Sequence, residues 1–332
     1  MMMKKNIKIA IIGYGNLGRS VEANVSQHSD MELFGIFTRR DPKTLKTTKI
    51  TSKVYHLDNL ENYKDEIDVA ILCGGSMSDL PKQGPIVASL LNTVDGYDNH
   101  ALMNDYYNEM HKIALKSKKV SVVGSGWDPG IFSLNRMLAE AILPAGATYT
   151  FWGKGVSQGH SDAIRRVAGV KDAVQYTVLI EDAVNAVKSG QIPSLETKDK
   201  HQRICYVVAH ENADLKQIED DIKNMPNYFK PYDTTVHFIS EDELKKNHSG
   251  LPHGGLVIRH GKTGLNEENN QIIEYSLKLE SNPDFTASVL LAYARAAYAL
   301  HQEGQFGAKT IADIAPRYLM NKTDEEIRKI YI

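Results

Sequence analysis

Three carboxylates in two short segments could support chemistry on an amine. Asp95 and Asp98 lie in residues 94–100 (VDGYDNH), and Asp128 lies in residues 124–130 (GSGWDPG). Each segment follows a predicted buried strand, and ligands of parallel sheets bind beyond the carboxyl ends of the strands. Carboxylates placed there could hold a substrate ammonium, and Asp98 or Asp128 could accept its proton directly or through a water. The alternative, especially for Asp98, is capping of the helix that follows.

A glycine pattern near the start of the chain is typical of a dinucleotide site. It follows an apolar strand directly and precedes a predicted helix. In such a loop Gly13 permits a tight turn, Gly15 lets the backbone approach a pyrophosphate, and Gly18 allows the helix to pack closely on the strand. The alternative is a glycine-rich turn that binds no ligand. The candidate cofactor residues of this loop are Gly13, Tyr14, Gly15, Asn16, Leu17 and Gly18.

The end of the second predicted strand favours NADP over NAD. NAD-binding proteins usually carry Asp or Glu there to accept the ribose 2′-hydroxyl. Here Thr38, Arg39 and Arg40 occupy these positions, and the first carboxylate is Asp41. Two guanidinium groups suit a 2′-phosphate. NADP is therefore the expected cofactor, and the alternative is a solvated pair of arginines.

Small residues follow the third predicted strand, where they would let the nicotinamide half of the cofactor pass over the sheet edge. These residues are Cys73, Gly74, Gly75 and Ser76. Cys73 is interpreted as a small apolar residue rather than a nucleophile, because no histidine or other base accompanies it.

Strand–helix alternation in the first 125 residues would position these segments. Near-continuous apolar runs are typical of strands buried on both faces of a parallel sheet. They occur at residues 7–12, 32–37, 69–73, 92–94 and 120–123, with helices predicted at about 16–28, 80–91 and 101–117. This alternation predicts an α/β fold with a doubly wound parallel sheet of the Rossmann type.

After residue 129 the pattern predicts an α+β domain with a more open, largely antiparallel sheet. Strands are predicted at 149–153, 203–209, 234–239, 255–260 and 271–279, and helices at 132–143, 160–168, 170–176, 181–189 and 212–223. A helix over 286–301, with a start signal at Asp284 and a stop at Gly304, should return the chain to the first domain. The predicted domains are 1–126 plus about 299–332 for dinucleotide binding, and 127–298 for substrate binding and dimerisation.

Length and composition favour a protein that acts on a small molecule. A chain of 332 residues exceeds the usual size of a single core, and its formal charge of −2 indicates neither a nucleic-acid surface nor a membrane patch. Two cysteines, Cys73 and Cys205, form no disulfide framework and no metal-ligand set, so no metal is expected. The N-terminus lacks the apolar length of a signal peptide or of a membrane span, which predicts a cytoplasmic location.

The chain resembles the meso-diaminopimelate dehydrogenase family over nearly its whole length. The segments that carry the resemblance are IGYGNLGRSVE, GIFTRR, VDGYDNH, GSGWDPGIFSLNR, TFWGKGVSQGHSDAIRR, AVQYT, NMPNYF, LPHGG and NPDFTAS. GWDPG and SQGHSDA have no role in generic Rossmann proteins, so the resemblance is specific. It implies a homodimer that makes a D-stereocentre by NADPH-dependent reductive amination of L-2-amino-6-oxopimelate, or oxidises it in reverse.

The same resemblance implies roles for individual residues. Cofactor residues fall on Gly13, Gly15, Gly18, Arg39 and Arg40. Residues near the reacting D-centre fall on Asp95, Asp98, Trp127, Asp128, Trp152 and Gln158, with Gly159 and Asp162 near by. Residues that clamp the distant L-centre fall on Thr177, Arg203, His253 and Asn282. The stretch 262–271 departs from the family pattern.

A substrate that is a zwitterion at each end needs donors for two carboxylates and acceptors for two ammonium groups. Arg203 can grip a carboxylate with two hydrogen bonds, and Thr177 and His253 can add neutral donors. The alternatives are a surface charge for Arg203, a β-branched strand residue for Thr177, a loop histidine for His253, and simple packing for Trp127 and Trp152. Two other functions stay open: an NADP-dependent dehydrogenase of another amino or 2-oxo acid, and a non-catalytic NADP-sensing protein.

Overall fold

The computed structural model describes residues 6–226 and 228–332. The chain forms two compact units. One contains the chain up to Leu134 together with Pro283–Ile332, and the other contains Asn135–Asn282.

The helices and strands follow one another in an order that alternates in the first unit. It begins with β1 (Ile7–Ile12), α1 (Asn16–Asn24), β2 (Met31–Thr38), β3 (Val54–His56), β4 (Val69–Leu72), α2 (Leu80–Ala88), β5 (Asn92–Asp95), α3 (Met103–Lys116), β6 (Val120–Val122) and α4 (Ile131–Ile142), which runs into the second unit. The second unit continues with β7 (Gly146–Trp152), β8 (Gly155–Val156), α5 (Gln158–Arg165), β9 (Val170–Leu179), α6 (Glu181–Lys188), α7 (Thr197–Lys200), β10 (His201–Ala209), α8 (Leu215–Lys223), β11 (Thr234–Phe238), α9 (Glu241–Asn247), β12 (His253–Thr263) and β13 (Asn269–Leu279). The chain ends with α10 (Asn282–Gln302), β14 (Gly307–Lys309) and α11 (Asp324–Tyr331).

The first unit is built on a seven-stranded sheet with the order β14-β6-β5-β4-β1-β2-β3. All of its neighbouring strands run parallel, as predicted for a doubly wound fold. The strand order reverses between β1 and β4, and the carboxyl ends of these two strands form the crevice where such sheets bind ligands. The glycine loop follows β1 and the small-residue run follows β4, so the fold brings both to this crevice.

Helix α10 belongs to the first unit, and the predicted domain boundary near residue 299 is therefore wrong. The helix is longer than predicted, and Ala287, Leu290 and Ala294 are buried in the same core as Ile9 and Ile11 of β1. A boundary inside this helix would split that core. The two short edge strands, β3 and β14, have too few apolar residues to be recognised from periodicity, and the prediction missed them.

The second unit contains two sheets where one was predicted. The four-stranded sheet has the order β11-β10-β9-β8, and the three-stranded sheet has the order β13-β12-β7. Only β10 and β11 pair in parallel; the other neighbours are antiparallel. The prediction of a largely antiparallel second domain is thus confirmed for its strand directions.

The short helix predicted at 170–176 is a strand, β9. Polar residues interrupt its apolar pattern, but β9 pairs with β10 on one side and with β8 on the other. Its two faces pack into different apolar clusters, with Ala173 in one and Val174 and Tyr176 in the other. Helices α7, α9 and α11 were not predicted. Within the described ranges, no helix has the length and apolar character needed to cross a membrane.

Candidate active site

The glycine loop has the form that a dinucleotide pyrophosphate requires. Gly13 has φ +92°, and its N–H donates to the Phe37 carbonyl at 2.9 Å. A Cβ at Gly18 would lie 2.4 Å from the Gly13 oxygen, whereas a Cβ at Gly15 would meet nothing within 4 Å. Helix α1 begins at Asn16 with no side-chain cap. Free N–H groups at the start of this helix and open space beside Gly15 fit a bound phosphate.

The two arginines after β2 hold different positions. Arg40 Nη2 donates to the carbonyl of Tyr14, inside the glycine loop, at 2.7 Å, and its backbone N–H donates to Thr38 Oγ1 at 3.2 Å. Arg39 is exposed, and its Nη2 lies 2.7 Å from Asp79 Oδ1. The structure therefore brings Arg40 to the loop, while Arg39 pairs with a carboxylate that follows β4.

The small residues after β4 connect the cofactor crevice to the carboxylate segment. The Gly75 N–H donates to Asp79 Oδ2 at 3.2 Å, and a Cβ at Gly74 would lie 2.6 Å from the Asp79 Cβ. Ser76 Oγ accepts from the backbone N–H of Asp98 at 3.2 Å. Burial raises the pKa of the Cys73 thiol, which suits the small apolar role expected for this residue.

Asp95 faces the interior, which corrects its predicted contact with substrate. The residue is fully buried. Oδ1 accepts from the N–H groups of Tyr97 at 3.0 Å and Gly124 at 3.1 Å, and Oδ2 accepts from the Tyr106 hydroxyl at 2.9 Å. Burial raises its pKa to about 6, although these three hydrogen bonds lower it in part. Both oxygens are occupied, so Asp95 holds the loops after β5 and β6 together.

Asp98 and Asp128 follow β5 and β6, which are paired parallel strands. Asp98 is exposed. It does not cap the following helix, because the residue at the cap position is Asn99 and no side chain bonds there. Asp128 is half-buried and precedes a cis proline. The neighbouring Trp127 is buried and packs edge-on against Phe132 at 5.2 Å between ring centroids.

In the second unit Arg203 and Thr177 form a buried pair. They lie opposite each other in the β9–β10 ladder, and Arg203 Nη1 donates to Thr177 Oγ1. The guanidinium carbon lies 4.0 Å from the centre of the Tyr232 ring. Arg203 is only 7% exposed, its Nε has no hydrogen-bond partner, and no carboxylate of the described residues forms an ion pair with it. A buried guanidinium without a counter-charge is the arrangement expected of an anion site.

Two further predicted residues lie on the three-stranded sheet, with Trp152 at the end of β7 and His253 at the start of β12. Gly155 of β8 pairs with Thr177, and a Cβ at Gly155 would lie 2.4 Å from His253 Nδ1, so only glycine leaves room for this ring. Trp152 pairs with Gly255 of β12. The backbone N–H of Asn282 donates to the Leu251 carbonyl at 2.9 Å, just before β12.

Helix α5 carries the remaining candidates of this unit. Gln158 and Gly159 are exposed in its first turn, and Ser157 caps the helix. Asp162 forms an ion pair with Arg165 at 2.6 Å, so its carboxylate is occupied by this helix. A cavity of about 260 Å³ opens beside Gln158. It is lined by Val174, which points to the opposite face of β9 from Thr177, and is separate from the Arg203 pair.

Two histidines that the prediction did not select adjoin these residues. His201 Nε2 accepts from the Trp152 N–H at 2.7 Å, and the two rings stack at 5.0 Å. His160 Nδ1 lies 2.7 Å from Ser157 Oγ. Burial, assisted by the charge of Arg203, lowers the pKa of His160 to about 4, and burial likewise lowers that of His201 to about 4. His160 lies within SQGHSDA, one of the segments that carry the family resemblance. Its place in that segment is the sequence signal that could have identified it as a site residue.

No group of three or more His, Cys, Asp or Glu side chains in residues 6–226 and 228–332 is arranged to hold a metal ion.

Known proteins that are similar to this chain are dehydrogenases of diaminopimelate or of D-amino acids. A family model described as "Diaminopimelic acid dehydrogenase C-terminal domain" matches residues 126–281. A meso-diaminopimelate D-dehydrogenase of Ureibacillus thermosphaericus is 60% identical over 97% of this chain and 98% of its own. A mutant meso-dapdh of Clostridium tetani E88, solved with DAP, superposes with a TM-score of 0.93 at 54% identity, covering 98% of this chain and all of that one. An engineered D-amino acid dehydrogenase bound to NADP+ superposes with a TM-score of 0.87 at 43% identity, covering 99% of this chain and 100% of that one.

Proposed function

Because this chain belongs to the meso-diaminopimelate D-dehydrogenase family, we propose that it catalyses the reversible, NADP-dependent oxidative deamination of meso-2,6-diaminopimelate. The reaction at the D-centre yields L-2-amino-6-oxopimelate and ammonia. The observation that carries the proposal is the buried Arg203 guanidinium, which has Thr177 beside it and no carboxylate partner among residues 6–226 and 228–332. A substrate with a second amino-acid head would supply that carboxylate.

The first unit would hold NADP. The glycine loop and the free N–H groups of α1 would bind the pyrophosphate, and the small residues after β4 would leave room for the nicotinamide half. Arg40, with Arg39 and Thr38 beside it, would receive the 2′-phosphate. When bound, NADP accepts the hydride that leaves the D-carbon.

The second unit would recognise the distant L-centre. Arg203 would bind its carboxylate through two N–H groups, and Thr177 and His253 would add neutral hydrogen bonds. Asn282 is the fourth member of this clamp. Tyr232 covers the guanidinium and limits its movement, so the site is pre-arranged for the substrate.

At the reacting end, an amine can release hydride only after its ammonium has lost a proton. Asp98 and Asp128 are the candidate proton acceptors, since Asp95 is occupied within the fold. In the first unit, Trp127 would form a wall beside Asp128. In the second unit, the residues proposed to bind the substrate are Trp152, Gln158, Gly159 and Asp162. His201 would orient Trp152 through its backbone N–H.

The protein is further proposed to be a cytoplasmic homodimer. Cys73 and Cys205 are both free thiols, as is usual in a reducing compartment. Helix α4 exposes apolar side chains in the second unit, with Met137 49%, Leu138 53% and Ile142 66% exposed. Such a patch supports an interface with a second copy of the chain.

The experiment that tests this function is NADP reduction by the purified protein with meso-, LL- and DD-diaminopimelate. We expect the meso isomer to react fastest, and the LL isomer not to react because it lacks a D-centre. NAD in place of NADP, and D-lysine in place of the diacid, serve as matched controls for the two recognition sites. Equal rates with the LL and meso isomers, or no reduction with any isomer, would contradict the proposal.

A further inference from the structure

A fully buried carboxylate lies in the helix that starts at the glycine loop. Glu22 of α1 is 0% exposed. No lysine, arginine or histidine of the described chain forms an ion pair with it. Burying a carboxylate without a counter-charge is unfavourable unless hydrogen bonds replace the lost water. What Glu22 binds should therefore explain why it is there.

Four donors surround the Glu22 carboxylate. Oε2 accepts from the Tyr14 hydroxyl and from the Thr48 N–H at 2.9 Å. Oε1 accepts from the Ser52 hydroxyl and from the Lys49 N–H at 3.1 Å. Burial raises the pKa of Glu22, but these hydrogen bonds outweigh it and keep the pKa below its usual value. The ionised group thus ties the glycine loop to an irregular surface segment, residues 48–52.

Tyr14 connects this carboxylate to the arginine that follows β2. Its side chain is buried between the helix and the 48–52 segment, and its hydroxyl also accepts from the Thr48 N–H at 2.8 Å. Its carbonyl oxygen accepts from Arg40 Nη2 at 2.7 Å. One end of Tyr14 is therefore fixed by Glu22, and the other end holds the guanidinium that the proposed function assigns to the 2′-phosphate.

We propose that Glu22 is a positioning residue for the cofactor site, which acts through Tyr14 to set the place of Arg40 and thereby contributes to the preference for NADP over NAD. Without the carboxylate, the Tyr14 hydroxyl and the 48–52 segment lose their shared acceptor. The Tyr14 carbonyl can then shift, and Arg40 shifts with it. The inference rests on the proposed use of NADP, but not on the identity of the amino-acid substrate.

The test is Glu22→Gln, which keeps the size of the side chain but replaces one acceptor oxygen by a donor. Dissociation constants for NADP and NAD are measured by calorimetry without amino-acid substrate. We expect the NADP constant to rise about tenfold or more and the NAD constant to change less than about threefold, as for loss of one charge-assisted contact. The kcat at saturating NADP should stay within about twofold, since Glu22 does not touch the reacting atoms. Glu32→Gln, an exposed carboxylate on β2, is the matched control.

A double substitution separates positioning from general stabilisation. If Glu22 acts through Arg40, then Glu22→Gln should not change the NADP-to-NAD ratio further once Arg40→Met is present. The proposal would be overturned if Glu22→Gln weakened the binding of NADP and NAD equally, or if its effect on the NADP-to-NAD ratio added fully to that of Arg40→Met. If Glu22→Gln does not fold, Tyr14→Phe, with Tyr63→Phe as control, makes the same comparison.

Two outcomes distinguish a failure of the role of Glu22 from a failure of the proposed function. Equal binding of NADP and NAD by the unmodified protein would reject the proposed cofactor. An NADP preference that Glu22→Gln leaves unchanged would reject only the role of Glu22.

Discussion

Arg203 is the residue whose surroundings bear most directly on substrate choice. Its guanidinium is buried against Tyr232 and donates to Thr177, so it is not the surface charge that the sequence also allowed. Because burial lowers the pKa of Arg203, the fold disfavours this cation unless an anion binds. A distal substrate carboxylate would relieve that cost.

Replacing Arg203 should therefore change specificity more than it changes turnover in general. Arg203→Met is expected to lower kcat/KM for meso-diaminopimelate by at least about 10²-fold, equivalent to roughly 2–4 kcal/mol. A D-amino acid without a distal carboxylate should lose far less, or gain. Steady-state kinetics with both substrates measure this ratio, and Arg166→Met, an exposed arginine on the same unit, is the control. A ratio equal to that of the unmodified protein would remove Arg203 from the clamp.

The carboxylates beyond β5 and β6 should affect chemistry rather than cofactor binding. Asp98→Asn and Asp128→Asn are each made and compared with Asp105→Asn, an exposed carboxylate on α3. The variant that removes the proton acceptor should lose about 10²-fold or more in kcat with NADP affinity unchanged. Near-normal turnover in both variants would mean that the proton leaves by another route.

At the scale of elements, Asp95 joins three parts of the first unit. It ends β5, accepts from Tyr106 on α3, and accepts from the Gly124 N–H in the loop after β6. These contacts fix the two loops that carry Asp98 and Asp128. The carboxylate is thus structural, and the energetic cost of ionising it should appear in the stability of the fold.

This cost predicts a definite pH dependence. Burial raises the pKa of Asp95 from 3.8 to about 6, so between pH 4 and 6 the folded protein keeps a proton that the unfolded chain releases. The contribution of Asp95 to the free energy of unfolding therefore falls as pH rises through this window and is constant above it. In Asp95→Asn, Oδ1 can still accept from the Tyr97 and Gly124 N–H groups, and the new Nδ2 can donate to the Tyr106 hydroxyl oxygen, with no group to ionise. Relative to the unmodified protein, the variant should gain up to about 3 kcal/mol between pH 4 and pH 7.

Denaturant unfolding at several pH values measures that difference. Asp105→Asn controls for the loss of one charge from an exposed position of the same unit. If the difference between Asp95→Asn and the unmodified protein is the same at pH 4 and pH 7, burial does not penalise the charged form of Asp95.

At the scale of the whole molecule, the chain leaves the first unit through α4 and returns to it with α10, so the second unit is an insertion with its own sheets. The proposed homodimer would use the second unit. Light scattering should give about twice the 37.0 kDa mass of one chain. Leu138→Glu on the apolar face of α4 should shift the mass toward one chain, while Leu265→Glu in the β12–β13 turn should not. A mass of one chain for the unmodified protein would contradict the dimer.

Local patterns in the sequence determined the cofactor half of this protein. The spacing of Gly13, Gly15 and Gly18 predicts the phosphate loop because each requirement, a tight turn, an open approach and close packing, concerns neighbours a few residues away. The arginines after β2 and the strand–helix alternation are likewise patterns of residues that are near one another in the sequence. The family resemblance added the residues of the second unit, whose spacing alone carries no such signal.

Tertiary contacts decided what local patterns could not. Asp95 and Asp98 are residues of the same type three positions apart, yet Asp95 is buried by its hydrogen bonds to Tyr106 and to the Gly124 N–H, whereas Asp98 is exposed. Residues 170–176 form a strand because β10 supplies partners along this segment, and β8 pairs with its end at Tyr176. In the sequence Glu22 is an ordinary helix residue, and only the hydrogen bonds from residues 48–52 show its buried position. In each case the deciding partner is distant in sequence, so only the folded chain could bring it into contact.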